Sequence, residues 1–239
     1  MTALLRYQTA ILLRSHRWIF PLIAYGLLMA VGAAGSTSLA ETLDWSGAML
    51  VPVVAFLTRG MLTAEPDAAR ACVFAAAGPV RAQVATLIVP LGAGALIGVA
   101  AAVFDVLTAE AATKVPGSGL PGKVTAAAGH PGIVLAGLLI ALVCVLVGSA
   151  VGALCNPPLL RHPAAAMLST LAAIIFALAA GVSPANAAIA HTTAQAASPL
   201  AANWPGTGAL LGAACLAAVA WGVSVTAATR RDTWSAGSS

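Results

Sequence analysis

The chain reads as an all-α polytopic membrane protein. It is expected to have six transmembrane helices, an interfacial helix at its N-terminus, and a short cytoplasmic helix between spans two and three. Three observations predict this. Of the 239 residues, 60% are hydrophobic and only 8% charged, whereas a soluble domain carries roughly 25% charged residues. So few hydrated groups cannot cover a surface in water, and lipid is the solvent that remains. Apolar runs close to the roughly 20 residues needed to cross the hydrocarbon recur along the chain. Finally, the basic residues segregate between alternate loops.

The opening segment, TALLRYQTAILLRSHRW, places Leu4, Tyr7, Ile11 and Trp18 at helical spacing, with Arg6, Thr9 and Arg17 opposite. Residues 2–16 are therefore expected to lie in the membrane interface, basic side towards anionic headgroups. Gln8 falls within the apolar sector and Leu13 within the polar one, so the frayed start of span one is the competing reading. Span one is expected at 18–34. It is read as retained, because the segment ahead of it is too long and apolar for a cleaved leader. The other spans are expected at about 45–62, 83–107, 133–155, 164–182 and 207–228. Outer loops then cover roughly 35–46, 108–132 and 183–206.

Arg6, Arg14, Arg17, Arg59, Arg70, Arg81, Arg161, Arg230 and Arg231 fall on one side, and only Lys114 and Lys123 on the other. Nine against two assigns the arginine side to the cytoplasm, with both termini inside. Arg59 is counted there because it can snorkel from the inner end of span two. Arg6, Arg14, Arg17, Trp18 and Arg161 are the expected interface anchors.

Between spans two and three, Pro66 suits a helix start. Glu65 and Asp67 set negative charge at the positive end of the helix dipole, and Gly78-Pro79 is a stop signal. A helix of about 66–77 follows. Asp67, Arg70, Ala71 and Phe74 share its neighbouring faces, and its small, lightly charged surface suits docking against another protein; a helix that merely joins two spans would look similar. The other inner connection, CNPPLLRHP at 155–163, reads as a tight turn with at most a minor docking contact.

Several chemistries are excluded. PGSGLPGKVT, 116–125, mimics a phosphate loop, yet it lacks the preceding strand and carries Val124 where a hydroxyl should reach Mg²⁺. It is also expected outside the cell, so the chain has no ATPase of its own and is not read as an enzyme. The histidines show no i, i+4 pairing, and no cysteine or carboxylate stands at ligand spacing, so no metal site is expected. Cys72, Cys144, Cys155 and Cys215 read as small apolar fillers. Scattered bases make no nucleic-acid stripe. Ser183, near His191, precedes a proline at a span end and shows no oxyanion donors. Ionisable residues inside the spans are few. Asp105 lies near the outer end of span three, and this scarcity argues against ion-driven transport.

Taken together, RYQTAILLRSHRW, AEPDAARACVFAAAGPVRA and GALCNPPLLRHP resemble the membrane subunit of an ABC-2-type ABC exporter, in the alanine-rich style of actinobacteria. The resemblance covers nearly the whole chain. It implies a permease subunit in the cell membrane forming half of a translocation pathway. It implies two separate ATP-binding subunits that hold ATP and Mg²⁺, and a second permease, identical or related. This chain itself would hold no cofactor. Glu65, Asp67, Arg70, Ala71 and Phe74 would form the coupling helix that docks in a cleft of the ATPase. An apolar pathway would suit a hydrophobic or amphipathic substrate. The rival readings are a secondary transporter or channel, and a non-transporting scaffold that docks a cytoplasmic protein.

Overall fold

The computed structural model describes residues 1–35, 39–113, 131–155, 163–180, 183–189 and 207–236. Among these residues the chain is all-helical: α1 (Thr2–Arg14), α2 (Ile19–Gly35), α3 (Leu39–Leu62), α4 (Asp67–Ala77), α5 (Pro79–Thr113), α6 (Pro131–Leu154), α7 (Pro163–Ala179) and α8 (Thr207–Ala236). The expected outer stretch 116–125 and the inner turn 156–162 lie outside the described residues.

Five of these helices are long and apolar enough to cross a membrane, over Glu41–Leu62, Pro79–Thr108, Val134–Leu154, Ala164–Ile189 and Gly208–Ala227. Their outward side chains agree with a lipid solvent. Phe20, Leu96, Leu168, Ile175, Phe176 and Val219 are each more than 60% exposed, and apolar surface on that scale is not sustained against water. The chain is thus consistent with a multi-pass membrane protein. The run expected as span one is a helix of only 17 residues. At 1.5 Å per residue it is about 26 Å long, somewhat short of a hydrocarbon core of about 30 Å.

The hub is α3. Two-thirds of its apolar window is buried within the chain, against about a quarter for α7 and α8. Leu50, Val51, Val54 and Ala55 of α3 meet Ile140, Val143, Cys144 and Val147 of α6 in the main core. Glycine lets these two helices approach closely. A Cβ on Gly148 would stand 2.7 Å from the Val51 carbonyl oxygen, and one on Gly152 would stand 2.6 Å from that of Ala55. This is a small-xxx-small contact, which brings backbones together where lipid removes the hydrophobic drive between helices. Gly94 does the same on α5, where a Cβ would sit 2.5 Å from Val54 Cγ2.

Two expected boundaries are corrected. The outer loop placed at 35–46 is helical from Leu39. Leu39 and Leu43, one turn apart, pack with Ala102, and that burial outweighs the low hydropathy of Glu41 and Asp44. The outer stretch from 183 contains a helical turn at 184–189. Asn186 Nδ2 donates to the Leu178 carbonyl at 3.0 Å, occupying one of the acceptors left bare at the end of α7. The candidate span at Gly208–Ala227 falls within the expected 207–228, and helix α8 runs on past it to Ala236.

Candidate functional site

The segment between α3 and α5 is built from two breaks and three ties. Pro66 precedes α4 at the N-cap, one residue before the position expected for it. At the other end Gly78 takes φ +82° and donates its N–H to the Phe74 carbonyl at 2.9 Å. A left-handed φ is strained for a residue with a Cβ. Pro79 then opens α5, where its missing N–H costs no hydrogen bond. α4 is therefore a separate element set directly on the start of α5.

Arg70 makes the first tie. Its guanidinium donates to the Leu62 carbonyl, in the last turn of α3. That carbonyl lacks a helical donor and lies at the negative end of the α3 dipole, so a cation suits it. The second tie joins Gln8 of α1 to Glu65, Nε2 to Oε1 at 3.1 Å. The third runs from Arg17 Nη1 to the Thr63 carbonyl at 3.4 Å. Partial burial, and then the neighbouring Glu65 carboxylate, push the Tyr7 phenol above its ordinary value.

These ties orient the expected docking residues. Arg70 and Phe74 are half-buried on the side of α4 that faces the bundle, Glu65 is half-buried against α1, and Ala71 is exposed. Asp67 opens the helix, and its side chain lies outside the described residues. The outward face consists of Ala68, Ala71, Cys72, Ala75 and Ala76, all exposed. Their spacing of three and four residues marks one face of a helix. Ala68, Cys72, Ala75 and Ala76 escaped the sequence reading, which followed charge and missed this periodicity.

Of the expected interface anchors, Arg6, Arg14 and Arg17 are exposed, and Trp18 is partly buried against the main core. Arg161 lies outside the described residues. The inward face of α1 is Leu4, Leu5, Gln8, Ile11 and Leu12, while Tyr7 is 40% exposed. Tyr7 therefore leaves the apolar face expected for it, and Gln8, the misfit of the sequence pattern, is the most buried residue of the helix. A polar side chain is tolerated there because Glu65 accepts its hydrogen bond. Arg59, expected to snorkel outwards, directs Nη1 to Thr170 Oγ1 on α7 at 3.3 Å.

A second polar group sits near the opposite end of the bundle. Asp44, Ser46 and Asp105 are all buried. Asp44 falls in the expected outer loop at 35–46, which is why sequence reading does not count it among the ionisable residues inside spans. The described cysteines are free, Cys144 and Cys155 buried, Cys72 and Cys215 exposed. Among the described residues no three His, Cys, Asp or Glu side chains come together as metal ligands would.

Compared with known protein families, curated protein sequences and solved structures, the chain matches none.

Proposed function

We propose that the chain is the permease subunit of an ATP-driven exporter of the ABC-2 type, with α2 completing a set of six spans and α4 acting as the coupling helix. The observation that carries this reading is the mechanical setting of α4. Its outer face is small, apolar and open, while its ends are fixed to α3 through Arg70 and to α5 through Gly78-Pro79. A partner pressing on Ala71 and Ala75 moves two spans together, because Arg70 transmits the load to the α3 terminus and only Gly78 separates α4 from α5. Small side chains let a partner's groove reach close to the helix backbone. The arginines of α1, α4 and the start of α5 support a cytoplasmic position for this end of the bundle, where ATP is supplied.

In this mechanism nucleotide closes a pair of partner subunits, the closure displaces α4, and α3 and α5 tilt with it. The pathway then opens to the other side between two permease subunits. The test is purification in mild detergent from the source membrane, followed by reconstitution into vesicles. The reading expects ATP-binding subunits in the complex and ATP hydrolysis that falls to the basal level in Ala75→Arg. A chain that purifies without any nucleotide-binding partner and moves substrate on an ion gradient would overturn it. One observation favours that rival: Asp44 and Asp105 are carboxylates buried inside candidate spans.

A further inference from the structure

We propose that Asp105 is a proton-binding site in the outer part of the bundle, framed by Ser46 and Tyr25. The inference is independent of the exporter reading.

Asp105 is 2% exposed, and it lies three residues inside the end of the α5 apolar window at Thr108. Three residues of helix are about 5 Å. Its carboxyl lies within hydrogen-bonding reach of the Ser46 side chain, and among the described residues Oδ2 has no hydrogen-bond partner. An ionised carboxylate in such a place needs several donors, and each one missing is costly.

The neighbouring donors are already committed. The Ser46 hydroxyl donates to the Leu43 carbonyl at 3.0 Å. The Tyr25 hydroxyl donates to the Ser46 carbonyl at 3.1 Å. A serine hydroxyl has a single hydrogen, so it cannot serve Leu43 and Asp105 together. If Asp105 is a neutral acid, its own O–H donates to Ser46 Oγ, and all three bonds hold at once. If it is ionised, Ser46 must leave Leu43, and Oδ2 still goes without a donor.

Among the described residues, the titratable groups brought to this region by the packed helices are Tyr25 from α2, Asp44 from α3 and Cys144 from α6. None is a cation. A metal ion is a poor alternative occupant, since one carboxyl and one hydroxyl fall well short of the six to eight oxygens that Ca²⁺ takes.

The frame spans three helices, so the proton's hold depends on their packing. Moving α3 away from α5 removes Ser46 as acceptor and admits water, which favours release. Proton release is thereby linked to rearrangement at the outer end of the bundle.

The test uses the full-length chain in lipid nanodiscs and dicyclohexylcarbodiimide, an apolar reagent that requires a protonated carboxyl. The acid O–H adds across one C=N bond to give an O-acylisourea. This rearranges to a stable N-acylurea, read by peptide mass spectrometry. At neutral pH the adduct is expected on Asp105 at about tenfold or more the level found on half-exposed Glu65. The label on Asp105 should decline as pH is raised. Infrared spectra supply a second readout, with a protonated-carboxyl band present in the native chain and in Asp44→Asn but absent in Asp105→Asn. An adduct on Asp44 in place of Asp105, labelling of Glu65 as strong as that of Asp105, or a carboxyl band that survives Asp105→Asn would overturn the proposal.

Discussion

Replacing Gly152 by alanine adds one methyl group at the point where α6 meets α3. The new Cβ would stand 2.6 Å from the Ala55 carbonyl oxygen and 2.7 Å from Thr58 Cβ. Ordinary contact begins at 3.4 Å, so one helix must withdraw by about 0.8 Å. The obstructing Ala55 atom belongs to the backbone, so no rotamer change removes it. Overpacking of this kind costs about 1–3 kcal/mol. It exceeds the roughly 0.5–1 kcal/mol that alanine gains over glycine inside a helix. Taking about 2–4 °C per kcal/mol for a chain of this size, a net loss of about 1 kcal/mol lowers Tm by about 2–4 °C. The assay is thermal unfolding in detergent at one fixed scan rate. Gly92→Ala is the internal control, because nothing lies within 4 Å of the added carbon and its Tm should hold or rise. If Gly152→Ala melts at or above the native midpoint while Gly92→Ala does the same, the close α3–α6 contact is not where the bundle is held.

Other outcomes follow from the α4 ties. Arg70→Met removes the charged donor from the Leu62 carbonyl and should weaken the local structure by about 1–2 kcal/mol; hydrogen exchange across residues 63–77 should speed up accordingly, while exchange in α6 stays unchanged. Gln8→Leu removes the hydrogen bond to Glu65, so limited proteolysis between α1 and α2 should accelerate; an unchanged cleavage rate would show that the bond does not hold α1. The Tyr7 phenol, raised by burial and by Glu65, should form tyrosinate at a higher pH than a free tyrosine, and Glu65→Gln should bring it back towards the ordinary value in ultraviolet absorbance. Because the folded state keeps this proton longer, Tyr7's contribution to stability is intact below about pH 10 and is lost as pH rises through its folded value.

Much of the helical layout was legible in the sequence, because lipid imposes a length and a composition on each crossing. The limits of α4 were also legible, since Pro66 and Gly78-Pro79 act through local backbone constraints that do not depend on neighbours. Faces were harder to read. Arg70 and Phe74 looked like docking residues by their chemistry, yet Arg70 is drawn inward by a bare carbonyl at the end of α3, which is a tertiary partner. The outer turns of α3 were lost because Glu41 and Asp44 depress a hydropathy window, while the one-turn spacing of Leu39 and Leu43 was the signal that survives. Gly148 and Gly152 stand four apart in a chain with 23 glycines. Composition alone could not separate them from Gly92, and only the facing carbonyls of α3 do so.

The central claim is that α4 faces the cytoplasm and is gripped there by an ATP-binding partner. Cys72 is a reporter for it once Cys215, also exposed, is replaced by serine, since Cys72 is exposed on the outward face of α4 while Cys144 and Cys155 are buried. The decisive measurement is its reaction with a membrane-impermeant maleimide, compared between intact cells and inverted vesicles, with and without the partner subunit bound. The account predicts labelling of Cys72 only in inverted vesicles, and slower labelling when the partner is present. Labelling of Cys72 from outside intact cells, or a rate in inverted vesicles that the partner leaves untouched, would contradict it.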